Sequence, residues 1–270
     1  MIALDAMFLG LHARQVWFPE HPEAAVAELD RAPLVDVMQC PVDVAKGLKP
    51  WAFHARVFHT SLIDLTRSED ELWAGLEKKT CRYQLNRARK LAGITVLHNQ
   101  RLDLAYRLID DFILRTEFRE RIAPDEWTRI TACCDVFIAL HDDRPLAVHV
   151  ILVDAPQRAR ALISATADRS DGADRALVSA LNRWLHWHEI LHYRARGLPC
   201  YDFGGIVVDE NSPEWSIAQF KLGFGGTTVT QHVVRLARNP LLRLALSARR
   251  RRPRANTHTA SAGQAIHELA

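Results

Sequence analysis

Much of what would mark a secreted, membrane-spanning or repetitive protein is missing from this sequence. Its five cysteines, Cys40, Cys81, Cys133, Cys134 and Cys200, are an odd number with no C-x-x-C pair, which excludes an ordinary disulfide framework and fits buried thiols in a reducing compartment. No apolar run approaches the roughly 20 residues needed to span a bilayer. The opening Met1-Ile-Ala-Leu-Asp-Ala-Met-Phe-Leu-Gly10 carries Asp5 where a secretory leader would carry Lys or Arg. No repeat recurs at solenoid periods. Charge of one sign is also lacking: 35 Lys and Arg against 32 Asp and Glu leave +3, too little to mark a nucleic-acid binder. A cytoplasmic protein without a membrane span is expected.

What remains is an ordinary globular balance over 270 residues, 48% hydrophobic and 25% charged, enough for one large domain or two small ones. Alternating apolar and polar residues predict strands over 33–38 and 52–65. Ser68-Glu-Asp-Glu71 is a capping box, because its hydroxyl and carboxylate satisfy the first free N–H groups of a helix. The helix it opens is predicted to run to about 90 and to stop at Gly93. Further expectations are a strand at 94–97, helices at 102–115 and 125–134, a hairpin at 136–140 and 146–153, and a strand at 160–165. A long helix over 173–196 follows, then a strand at 199–203, a short helical turn and a last strand at 226–236. This order predicts an α+β fold with a mixed, mainly antiparallel sheet flanked by helices, since strict β-α alternation is absent.

Five groups of residues could carry chemistry. In Glu77-Lys-Lys-Thr-Cys-Arg-Tyr-Gln-Leu-Asn-Arg-Ala-Arg-Lys90, helical spacing puts Lys79, Arg82, Asn86 and Arg89 on one face, with Arg87 and Lys90 adjoining it. Such a cluster suits a phosphate-bearing ligand, or it is a solvated helix face. Tyr201-Asp-Phe-Gly-Gly205 and Phe220-Lys-Leu-Gly-Phe-Gly-Gly226 pair bare backbone with Lys221, which could face an oxyanion or a phosphate; they could equally be two tight turns. His188-Glu-Ile-Leu-His192 is a literal H-E-x-x-H, the spacing of zinc hydrolases, on a helix crowded with other histidines and tryptophans. Arg169-Ser-Asp-Gly-Ala-Asp174 approximates a pyrophosphate loop of acetyl-CoA-dependent enzymes, with Arg169 and Gly172 as its phosphate-binding elements. Asp174 stands where a small residue is wanted. Arg249-Arg-Arg-Arg252-Pro-Arg254 begins an Arg-rich, polar tail over 247–270. It is expected to be disordered, and it offers either an RNA contact or a solubilising end.

The first two groups together carry a resemblance. Leu72-Trp73, Lys79-Thr-x-Arg82-Tyr, Asn86-Arg-Ala-x-Lys90 and Gly93-Ile-Thr-Val96, with Tyr201-Asp-Phe-Gly-Gly-Ile206 and Phe220-Lys-x-Gly-Phe-Gly-Gly226, resemble the signatures of the Fem family, in the same order and over about residues 60–236. These are non-ribosomal peptidyltransferases related to the GNAT acyltransferases. The resemblance implies two GNAT-like halves, an abbreviated one at 1–98 and a second at 99–246. It also implies transfer of an aminoacyl group from aminoacyl-tRNA to an amine acceptor, a cell-wall precursor peptide or a natural-product intermediate. An acyl-CoA or acyl-carrier donor is the alternative within the superfamily. The donor is a co-substrate, and neither a bound cofactor nor a metal is expected. On this resemblance Phe220 and Lys221 form the catalytic pair, and Asp202 is either an amine-orienting carboxylate or a buried structural acid. Lys79, Arg82, Arg87 and Lys90 line the donor or phosphate groove, while Tyr201, Phe203 and Arg119 are acceptor-binding. Outside this class stand a zinc hydrolase using His188, Glu189 and His192, and a non-catalytic RNA-binding module.

Overall fold

The computed structural model describes residues 1–8, 10–117, 120–168 and 175–251. Two compact units divide the chain, one from Met1–Thr60 with the segment from Val229 onward, the other Ser61–Thr228. This division falls at 60/61, whereas the resemblance implies halves meeting at 98/99.

In the first unit, β1 (Ile2–Phe8) and β2 (Leu11–Trp17) form an antiparallel hairpin running from Ile2 opposite Trp17 to Phe8 opposite Leu11. Neither strand is expected from local pattern, because β1 mixes exposed and half-buried positions without strict alternation. Strand β3 (Leu34–Cys40) runs parallel to β2, with α1 (Pro22–Ala27) in the crossover. The order is β1-β2-β3-β10-β4, where β4 is Ala52–Asp64 and β10 is Thr227–Ala237. Val16, Val35, Val37, Val234 and Leu236 meet Val44 of α2 (Val42–Gly47) and Leu48 in a dry core. Every residue of β3 is buried, the pattern of a strand covered on both faces.

In the second unit the order is β4-β9-β8-β7-β6-β5. Strands β5 (Ile94–His98), β6 (Cys134–His141), β7 (Arg144–Asp154) and β8 (Arg158–Thr166) form an antiparallel meander. Helix α7 (Arg175–Ala195) then crosses over to β9 (Cys200–Gly205), which runs parallel to β8. Val178, Leu181 and Leu185 recur at helical spacing and are buried, as is Ile190; each contributes about 1.5–3 kcal/mol by leaving water.

The capping box is present: Glu71 N–H donates to Ser68 Oγ, and Ser68 N–H donates to the Glu71 carboxylate at 2.8 Å. The helix it opens is shorter than expected. Helix α3 is Glu69–Gly75, a π-turn covers Lys78–Arg82, and α4 is Tyr83–Ala88. Leu76 leaves helical backbone at ψ 138°, and Glu77 starts the chain again by accepting N–H bonds from Lys79 and Thr80. Three backbone and hydroxyl donors hold its carboxyl down to about 2. Helices α5 (Leu102–Thr116), α6 (Pro124–Cys133), α8 (Trp215–Leu222) and α9 (Pro240–Arg251) complete the elements. Helix α9 continues four residues past position 247, where the tail was expected to begin. Among the described residues no helix is long and apolar enough to cross a membrane. The fold is α+β with a mixed, mainly antiparallel sheet and flanking helices, as expected.

Candidate active site

The two signature segments meet within the second unit. The Glu77 N–H donates to Gly223 O at 2.8 Å, and Gly225, at φ +80°, lies so close to Gly75 that an added Cβ would come 2.6 Å from its carbonyl oxygen. Gly225 therefore serves close packing of backbone on backbone, while a Cβ at Gly226 would collide with the Ser61 hydroxyl.

The other double glycine ends β9. The paired register sets Ala159 opposite Tyr201 and Arg160 opposite Asp202. Gly204 then adopts φ +70°, where an added Cβ would press on Ala161 O and the Arg160 guanidinium. Asp202 Oδ1 accepts the Gly204 N–H at 2.7 Å, which holds this turn in place, and its other oxygen lies 3.7 Å from Arg158. The carbonyl of Gly205 accepts from Lys221 Nζ at 2.6 Å.

Lys221 is half-buried as a residue, and its ammonium is held on the Gly205 carbonyl. Burial first, and then the charge of Arg160, push it down to about 8 against the pull of Asp202. The buried Arg160 is pushed down to about 10 by the same loss of solvent, opposed by Asp202. Lys221, Arg160 and Arg158 thus gather around the Asp202 carboxylate at the end of β9, where burial would make a developing negative charge strongly felt.

Phe220 precedes Lys221 on α8. It packs on Phe224, and the Arg183 guanidinium lies 4.6 Å above its ring. Arg183 donates to Ser179 Oγ at 2.7 Å and is itself pushed down by burial. Sequence reasoning missed Arg160 and Arg183. A signal existed for the first, since Arg160 opens the otherwise apolar run Arg160-Ala-Leu-Ile of an expected strand.

The structure brings Lys221, Phe220, Asp202 and Phe203 together and disperses other candidates. Tyr201 and Phe203 are fully buried beneath α7. The Tyr201 hydroxyl donates to Glu189 at 2.6 Å, and Phe203 packs on His186 and Phe224, so neither presents a free wall in this conformation. Arg82 donates from Nη2 to the carbonyls of Trp73, Ala74 and Leu76 at the end of α3. Arg89 stacks 3.8 Å over Trp73. Lys79 and Lys90 are exposed and Arg87 is half-buried, but the π-turn breaks the single basic face that continuous helical spacing predicts. Arg119, Arg169 and Gly172 lie outside the described residues, as does the chain from 252 onward.

The H-E-x-x-H segment is pulled apart. Glu189 is buried and bonded to His149 Nδ1 at 2.7 Å and to Tyr201; His186 joins them through the Tyr201 hydroxyl at 3.0 Å. His149 Nε2 is closed off by Asn182 at 2.8 Å. Burial would raise Glu189, but His149 and His186 overrule it and hold the carboxyl low. His192 faces elsewhere, toward His98 and Asp135. The metallohydrolase arrangement needs His188 and His192 together on one ion, and among the described residues no candidate ligand set contains both.

No protein-family model matches the chain, and no curated protein matches it. Solved structures do. FemX aligns with a TM-score of 0.65 at 14% identity, over 90% of this chain and 85% of that one. L-PGS from Bacillus licheniformis gives 0.56 at 12% identity, over 91% and 85%. The C-terminal domain of a protein assigned as a lysylphosphatidylglycerol synthetase from Agrobacterium fabrum gives 0.56 at 15% identity, over 87% and 80%. The chain therefore shares its fold with FemX and with these lysylphosphatidylglycerol synthetase structures.

Proposed function

We propose that this chain is an amide-forming acyltransferase that moves an aminoacyl group from aminoacyl-tRNA to an amine acceptor, a cell-wall precursor peptide or a natural-product intermediate. The observation that carries the reading is the Lys221 ammonium held on the Gly205 carbonyl beside Arg160 and Asp202, in a fold shared with FemX. An aminoacyl ester brings its own activation, so the protein has to position a neutral amine and stabilise the tetrahedral oxyanion. At pH 7 a lysine of about 8 is mainly protonated. It spends one of its three donors on Gly205 and has two left for an oxyanion or a terminal phosphate.

In the reaction the amine nitrogen bonds to the ester carbon and the carbon–oxygen bond to the ribose breaks. The proton lost by the amine ends on the released hydroxyl. Asp202 holds the Gly204–Gly205 turn and balances Lys221, Arg160 and Arg158, the structural alternative among its expected roles. No resident cofactor enters this scheme, and the exposed Lys79 and Lys90 remain available to the donor's phosphates. The Arg-rich tail is proposed as an additional RNA contact in a cytoplasmic setting.

The test is discharge of labelled aminoacyl-tRNA, and separately of acetyl-CoA, by wild type and Lys221→Ala. Discharge of one aminoacyl-tRNA, slowed about 10²–10³-fold by the substitution while the protein stays folded, is the expected result. Discharge of acetyl-CoA alone overturns the donor and keeps acyl transfer. Full activity in a folded Lys221→Ala overturns the role given to this lysine.

A further inference from the structure

The second unit holds two clusters in which three metal-ligating side chains converge, His149 with His186 and Glu189, and His98 with Asp135 and His192. Hydrogen bonding separates them. In the first, His149 is bonded at both ring nitrogens and Glu189 at both oxygens, so its polar groups already satisfy one another. In the second, the His192 Nε2 is buried without a hydrogen bond, and the His98 Nε2, also buried, meets only the Asp135 carboxylate at a long 3.3 Å. A buried imidazole nitrogen left unpaired beside a carboxylate is costly unless something else occupies it.

We propose that His98, Asp135 and His192 bind one divalent transition-metal ion of the zinc class. His98 ends β5, Asp135 is the second residue of β6 and His192 lies in the last turn of α7. The three donor atoms lie within 4.8 Å of one another, and His98 Nε2 is 3.3 Å from Asp135 Oδ1. Two ligands bound at about 2.0–2.1 Å on a tetrahedral ion stand roughly 3.3 Å apart, so this edge is already formed. Two imidazoles and one carboxylate are a nitrogen-and-oxygen set suited to zinc, with a remaining position for water.

The surroundings orient the ligands as outer partners do in metal sites. The His98 ring stacks on Phe137 at 4.3 Å and 2°, while His192 meets the same ring edge-on at 5.3 Å, so one phenyl group sets both imidazole planes. Asp135 Oδ2 accepts from Tyr193 at 2.9 Å and Arg196 at 3.0 Å, and Asn99 donates to Oδ1 at 2.9 Å. Asn99, at φ +53°, also accepts the Val136 N–H and so locks the turn after His98 to β6. Arg196 opposes a cation by its charge, yet it fixes the carboxylate. A bound ion would clamp β5, β6 and the end of α7 to one another. This site is independent of the transfer reaction.

The test uses the full chain, free of any affinity tag and stripped with a chelator. Titration with Co²⁺ is followed by visible absorption, and Zn²⁺ is used to displace it. One equivalent is expected, with ligand-field bands that zinc abolishes and a raised melting temperature. His98→Gln and His192→Gln should each weaken binding by more than roughly a hundredfold, since even loss of an outer partner costs about 10–100-fold. In wild type, zinc should shift the imidazole resonances of His98 and His192 and leave those of His149 and His186 in place, a readout that needs no variant to fold. Absence of stoichiometric binding, binding retained in both variants, or shifts at His149 and His186 instead, would each overturn the site.

Discussion

Lys221 is the residue whose surroundings most alter its chemistry, and its cost to the fold can be measured. Its folded pKa of about 8 lies below the ordinary 10.5, so between those values the unfolded chain binds more protons than the native one. Stability attributable to this group therefore rises with pH from about 8 to 10.5 and is lowest below 8. Lys221→Met, which keeps the stem and removes the charge, should be more stable than wild type by about 1–2 kcal/mol at pH 7. Urea midpoints measured at pH 7 and at pH 10 should show that gap shrinking. A gap that grew with pH would mean the ammonium is not desolvated. At the same scale, the sequence already singled out Lys221 and the double glycines. It could not show that Asp202 and Arg160 share the lysine's pocket, because that pairing depends on the register of β9 against β8.

Turns and helix ends carry the next set of expectations. Gly204 has φ +70°, and a Cβ added there would come 3.1 Å from Ala161 O and 3.2 Å from the Arg160 guanidinium, so Gly204→Ala should destabilise by about 1–2 kcal/mol from the left-handed backbone alone and loosen the Lys221 contact. Gly225→Ala meets rigid backbone at Gly75 as well and should cost more than Gly204→Ala in the same denaturation experiment. Ser68→Ala removes one half of the capping box and should cost about 1 kcal/mol. The capping box was legible because its partners are three residues apart. The break after Gly75 was not, because the carbonyl that takes the Glu77 N–H belongs to Gly223, far along the chain. For the same reason the basic stretch at 77–90 could be read as one face when the π-turn in fact divides it.

Across the whole molecule, the response to acid should be governed by the core of the second unit. Burial and then the neighbouring His149 push His186 down from 6.5, against the pull of Glu189, so the unfolded chain takes up a proton there that the native core refuses. Glu189 is held below 4.5 by His149 and His186 although burial alone would raise it. Both shifts make the unfolded state bind more protons, so stability should fall as pH drops below 6.5 and fall further below 4.5. Melting temperatures from pH 7 to 3 would show this, and Glu189→Gln should flatten the lower part of the curve while lowering stability at pH 7. A melting temperature independent of pH over that range would contradict the network.

The sequence by itself determined the class of fold, the long helix α7, the hairpin of β6 and β7 and the capped start of α3, since each follows from periodicity or from partners a few residues apart. Only the tertiary structure decided where the units divide and which charged groups meet. It also decided that H-E-x-x-H is not one site. Residues four apart on a helix share a face, but what that face meets is set by the strands beneath it. Here β7 brings His149 to Glu189, while β5 and β6 bring His98 and Asp135 to His192.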